Sequence, residues 1–101
     1  MLKVSEPTNG QRVELDSGQE FQVALSEPRT AGFRWHCKIA DPLCTLSNES
    51  TEVSGPAPGA SSRHVWTFRA AARGKTELIF ELSRGWEPAP ARTITLRLDV
   101  K

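Results

Sequence analysis

Two cysteines, Cys37 and Cys44, and two histidines, His36 and His64, are the thiols and imidazoles of this sequence, the side chains first to be weighed for nucleophilic or metal chemistry. A thiol–imidazole nucleophile needs both groups within hydrogen-bond reach. His36 and Cys37 are neighbours in a strand-like run, and successive strand residues point to opposite faces, so they cannot meet. The sequence has no Gly-x-Ser-x-Gly elbow, no phosphate-cradling glycine loop and no His-Glu-x-x-His motif. The acidic residues are scattered, with no close pair placed for acid–base work. Neither the spacing of the cysteines nor a nearby ligand set suits zinc. No catalytic residue, metal or cofactor is therefore expected, and the chain does not read as an enzyme. Cys37 and Cys44 are expected to be buried thiols, with a single bridge across the short loop as the alternative. His36 and His64 read as exposed strand residues.

Residues suited to binding are better placed. Trp86 lies among turn-formers, between Gly85 and the run Glu87, Pro88, Ala89, Pro90. It has no alternating apolar partner and no evident core slot. It either folds back to cap the body or stands out as an aromatic anchor. Tryptophan and arginine dominate interface hot spots, and Arg84 is close by. The two prolines stiffen this segment and lower the entropy lost on binding. A second candidate is the tip Thr30, Ala31, Gly32, between Arg29 and Phe33. Its side chains are small, and Gly32 allows backbone angles closed to other residues and a close approach to a partner. An ordinary turn is the competing reading. A third break, from Ser54 to Ser62, is rich in Pro, Gly, Ala and Ser and is too short to be a linker.

The elements that must position these segments show period-2 alternation. Ile94, Leu96, Leu98 and Val100 share one face of a run whose other face carries Thr93, Thr95, Arg97 and Asp99. Phe21, Val23 and Leu25 alternate in the same way. So do Phe33, Trp35, Cys37 and Ile39; Trp66 and Phe68; Leu78, Phe80 and Leu82; and, over a shorter run, Val13 and Leu15. No window carries the recurrence of a core helix, and Ala70–Arg73 is the one helix-leaning stretch. Turn signals at Asn9-Gly10, Asp16-Ser17-Gly18 and Arg73-Gly74-Lys75 separate the strands. Many short amphipathic strands in 101 residues predict an all-β, immunoglobulin-like, two-sheet antiparallel sandwich forming one domain over residues 1–101. In such a body the three breaks gather at one end.

Composition narrows the partners. Thirteen Lys+Arg against twelve Asp+Glu give a formal charge of +1 and no field for nucleic acid. No stretch approaches the ~20 apolar residues that cross a bilayer as a helix, so no membrane partner is expected. The N-terminus lacks an apolar signal core. A cytoplasmic protein is expected, or a periplasmic or secreted one if a leader has been removed.

The three breaks, in order and spacing, resemble the inhibitory loops of the chagasin family of cysteine protease inhibitors. The family's first motif, Asn-Pro-Thr-Thr-Gly-Tyr/Phe followed two residues later by Trp, corresponds to Pro28–Phe33 and Trp35. Thr30, Gly32, Phe33 and Trp35 match it. The second, Gly-x-Gly-Gly, falls at Ala57–Ala60 and keeps Gly59. The third, Arg-Pro-Trp, falls at Arg84, Gly85, Trp86. Ala31 stands where the family has its second threonine, Ala60 where it has a glycine and Gly85 where it has proline. The resemblance implies a monomeric, reversible inhibitor that occludes the cleft of a papain-like cysteine protease without a cofactor. The implied protease-binding residues are Arg29, Thr30, Ala31, Gly32 and Phe33; Gly59 and Ala60; and Arg84, Gly85 and Trp86. The alternative is an immunoglobulin-like module that binds protein or carbohydrate without inhibiting, with Trp86 stacked on a sugar ring.

Overall fold

The computed structural model describes residues 2–27, 32–39, 43–53 and 62–101. These form eight strands: β1 (Leu2–Ser5), β2 (Arg12–Leu15), β3 (Glu20–Glu27), β4 (Phe33–Ile39), β5 (Cys44–Val53), β6 (Ser62–Ala70), β7 (Gly74–Arg84) and β8 (Arg92–Val100). No helix occurs among the described residues. Ala70 closes β6 and the next strand opens at Gly74, so the helix-leaning alanines form a tight connection instead. Three residues are too few to repay helix nucleation. The strands make two sheets, β1-β3-β6-β5 and β2-β8-β7-β4, packed face to face as the expected sandwich.

The sheets are not wholly antiparallel. β1 runs parallel to β3, with Leu2 opposite Phe21, and β2 runs parallel to β8, with Val13 opposite Leu98. The N-terminal chain seals an edge of one sheet, crosses over residues 6–11 and seals an edge of the other. Glu6 makes this crossing in the left-handed region (φ 50°). Its amide donates to Ala24 O at 2.8 Å.

Alternation builds the core. Phe21 and Phe68 stack with centroids 5.4 Å apart, within one sheet. Phe80, from the other sheet, meets Trp66 at 4.9 Å and Phe68 at 6.3 Å. Leu78, Leu96, Leu98 and Val100 complete the second sheet's inner face. Each such side chain contributes about 1.5–3 kcal/mol by leaving water. Edge strand β5 was not evident from alternation. Residues 45–52 are exposed on both faces, so nothing selects apolar residues at every second place. Its backbone ladder to β6 holds it, with an irregularity between Leu46 and Asn48.

Phe80→Ala should cost about 3–5 kcal/mol, because it opens a cavity between the sheets where three rings meet. Urea unfolding of the variant and the parent measures this directly.

Candidate functional site

The ends of five strands come together at one end of the sandwich. Phe33, the first residue of β4, pairs with Arg84, the last of β7. Glu27, the last of β3, pairs with Ser62, the first of β6, and Ser62 pairs with Val53 at the end of β5. The connection 85–91 leaves from this end, where the described residues that flank 28–31 and 54–61 also lie.

Within it the described residues make a compact group. Gly32 has φ 71°, and a Cβ built on it would lie 3.1 Å from two carbons of the Trp86 six-membered ring. The indole thus rests on the Gly32 backbone, at a position where a side chain would be strained and crowded. The Arg84 guanidinium sits 4.3 Å from the Phe33 ring centroid and 5.8 Å from that of Trp86, a cation–π contact with both. Arg84 Nε is 3.4 Å from Glu87 Oε1, close enough for an ion pair but not aligned as a hydrogen bond. The connection is closed by Glu87 N donating to Arg84 O at 3.2 Å and Ala91 N to Leu82 O at 2.7 Å. Trp86 remains 69% exposed. It is a supported, solvent-facing aromatic and not a cap on the core. A Cβ at Gly85 would meet nothing within 4 Å, so this glycine answers no steric demand.

Of the sequence-predicted residues, Gly32, Phe33, Arg84, Gly85 and Trp86 share this end of the fold. Arg29, Thr30, Ala31, Gly59 and Ala60 lie outside the described residues.

Sequence reasoning put Trp35 in the core but missed the polar ties at the base of the site. Trp35 is buried; its amide donates to Glu27 Oε2 at 2.8 Å and its indole N–H to Ser26 O at 2.8 Å. Glu6 Oε1 accepts from the Ser26 amide (2.6 Å) and hydroxyl (2.8 Å). The Ser62 hydroxyl donates to Glu27 O at 3.2 Å. His64 is not the exposed residue expected. Its side chain is 12% exposed, stacks on Trp66 at 4.1 Å and 8°, and directs Nδ1 to Glu27 at 3.1 Å and Nε2 to Glu49. The signal was present: Glu27 follows Phe21, Val23 and Leu25 on the inward parity, and His64 precedes Trp66 and Phe68 on theirs. Polarity masked it. His36 is exposed as expected.

Cys44 is buried and Cys37 half-buried. Burial, then Cys44, then Glu49 push the Cys37 thiol up to about 12, which makes it a poor nucleophile. A group so raised holds its proton through neutral pH.

The family comparison agrees with this geometry. The model described as "Chagasin family peptidase inhibitor I42" matches residues 14–100. The chain belongs to the chagasin family of peptidase inhibitors, and its work is inhibition and not catalysis. Among solved structures it is similar to the cysteine protease inhibitor EhICP2 from Entamoeba histolytica, with TM-score 0.86 and 18% identity over 99% of this chain and 95% of that one. Amebosin aligns with TM-score 0.77 and 18% identity, over 99% and 97% of the two chains. PbICP-C, solved in complex with falcipain-2, aligns with TM-score 0.72 and 13% identity over 100% of each. At these identities the likeness is one of fold. No curated protein sequence matches the chain.

Two predictions follow from the site's geometry. Cys37 should resist iodoacetamide at about pH 8 in the folded protein and react readily in denaturant, as mass spectrometry of the alkylated peptide would show. Gly32→Ala should lower stability by about 1–3 kcal/mol, from the forced left-handed backbone and the contact with Trp86; urea unfolding monitored by tryptophan fluorescence checks this.

Proposed function

We propose that this protein reversibly inhibits papain-like cysteine proteases by seating the loop end of the sandwich in the active-site cleft. The observation that carries the reading is the exposed Trp86 held on the Gly32 backbone, with Arg84 spanning Trp86 and Phe33. Family membership supplies inhibition. The cysteine protease class rests on the fold neighbours, one named a cysteine protease inhibitor and another solved with falcipain-2. A module that binds without inhibiting is not favoured by that membership.

The segment Arg29–Phe33 would enter the cleft toward the catalytic cysteine. Its small residues Thr30, Ala31 and Gly32 keep it narrow, and Gly32 lets the backbone pass close to the enzyme. Trp86, with Arg84, would pack beside the cleft, and the segment bearing Gly59 and Ala60 would touch its other wall. Three contacts on one rigid body can reach a standard interface of about 1,600 Å². Occlusion makes and breaks no covalent bond, in keeping with a site that presents no activated nucleophile among its described residues.

The protein should inhibit papain or a cathepsin-L-like enzyme at submicromolar concentration and leave a serine protease untouched. Trp86→Ala should raise the inhibition constant at least about tenfold, or about 1.4 kcal/mol, without loss of stability, since the ring is mostly in water. Full papain activity at roughly 50 µM protein would overturn the reading. An unchanged constant in the variant would remove Trp86 from the site.

A further inference from the structure

The side chains of Glu27, His64 and Glu49 form a chain of contacts that neither the fold nor loop-borne occlusion requires. Glu27 lies directly before the segment 28–31, and its side chain is only 10% exposed. One oxygen of its carboxylate, Oε2, accepts from the Trp35 amide on the far side of that segment and faces His64 Nδ1. Its backbone carbonyl accepts from Ser62, which directly follows the segment 54–61. A single residue thus ties both ends of the first loop and the exit of the second.

A buried carboxylate is costly unless it is paired and hydrogen-bonded. Here the counter-group is His64. Both its ring nitrogens face carboxylate oxygens, Glu27 on one side and Glu49 on the other. Neutral imidazole has one N–H and one acceptor nitrogen, whereas the imidazolium donates from both. An N–H on Nδ1 donates to Glu27, while Glu49, on the Nε2 side, is also open to water. The groups around the ring are fixed by the strands that carry them. Glu27 comes from β3 and Glu49 from β5. Leu25 and Thr51 stand opposite His64 in the register, and Trp66 stacks on the ring. Arg63 is adjacent on β6 and so points to the other face, opposite Glu52.

We propose that His64 is a positioning residue for inhibition: set between Glu27 and Glu49 and stacked on Trp66, it holds the Glu27 carboxylate on the Trp35 amide and so fixes the ends of the first and second loops. The inference rests on the protease-binding reading of those loops. Removing the ring nitrogens frees the Glu27 carboxylate on that side and loosens the anchor, so inhibition weakens for a reason located in the inhibitor.

The test compares wild type, His64→Phe, His64→Gln and the exposed control His36→Phe against papain at a single pH. Phenylalanine keeps a ring on Trp66 and removes both nitrogens, whereas glutamine keeps an N–H donor. Wild type should exceed His64→Phe by about tenfold, His64→Gln should recover part of that loss, and His36→Phe should follow wild type. Amide exchange at Trp35, read by NMR in the free proteins, should quicken in His64→Phe. Equal inhibition and equal Trp35 protection for wild type and His64→Phe would overturn the proposal. If wild type fails to inhibit while Trp35 protection still tracks His64, the protease target falls and the clamp stands.

Discussion

The indole of Trp35 is the tie on which the working end of this molecule depends. The chain passes from one sheet to the other between Glu27 and Phe33. A sandwich core alone would leave that crossing held by chain connectivity. Trp35 closes it with two hydrogen bonds to β3, one from its amide to the Glu27 carboxylate and one from its ring to the Ser26 carbonyl. The ring itself is buried in the core, with the Arg92 guanidinium 5.5 Å from its centroid. Apolar burial and polar bonds therefore act on the same residue, and neither can slip without the other. Each bond is worth only about 0.5–1.5 kcal/mol net. Their larger effect is geometric: they set where Gly32 and Phe33 begin, and through the Phe33–Arg84 pair they set where Trp86 stands.

How much of this could be read from the sequence follows from where water reaches. Strands β3, β7 and β8 have one clearly dry face, and their alternation is plain in Phe21–Leu25, Leu78–Leu82 and Ile94–Val100; in edge strand β4 only Trp35 of the alternating set is buried, and Ile39 is exposed. In the edge strand Cys44–Val53, residues 45–52 are wet on both faces, and no periodicity can mark them. Leu2–Ser5 and Arg12–Leu15 have only four residues each, and their parallel pairing depends on a crossing that leaves no mark in composition. Trp86 was legible as an exposed anchor because nothing nearby in sequence could cover it. Its seat on Gly32 was not, because that contact exists only once β4 and β7 are in register.

Glu27 and His64 illustrate a different failure. Their positions on the inward parity of β3 and β6 were visible, yet a charged or titratable residue at the end of an apolar run is normally taken as the start of a loop. The rule that polar residues sit outside holds when burial leaves them unpaired. Here each supplies the other's partner, and the pair lies too far apart in the chain for either to be expected beside the other. Glu6 adds to the pattern. It accepts an αL backbone, at a cost of about 1 kcal/mol or more, and its carboxylate takes both the amide and the hydroxyl of Ser26. Strain and buried charge are both concentrated under the first loop.

That concentration has a physical rationale. In the proposed inhibitor, a loop seated in a cleft is best ordered from its ends, since a group used internally at the tip is lost to the partner. Glu27, Ser26 and Trp35 stay behind in the fold and hold those ends. Carboxylates suit this task, because each oxygen accepts more than one bond and can gather strands that lie in different sheets. Trp86 meets the same requirement in another way. Among the described residues the glycine backbone and one guanidinium support it, which leaves most of the ring in water yet limits the orientations it must lose on binding. A partner that covers the ring then gains apolar burial at a small ordering cost, and that difference is what a rigid, loop-bearing sandwich offers over a flexible peptide of the same sequence.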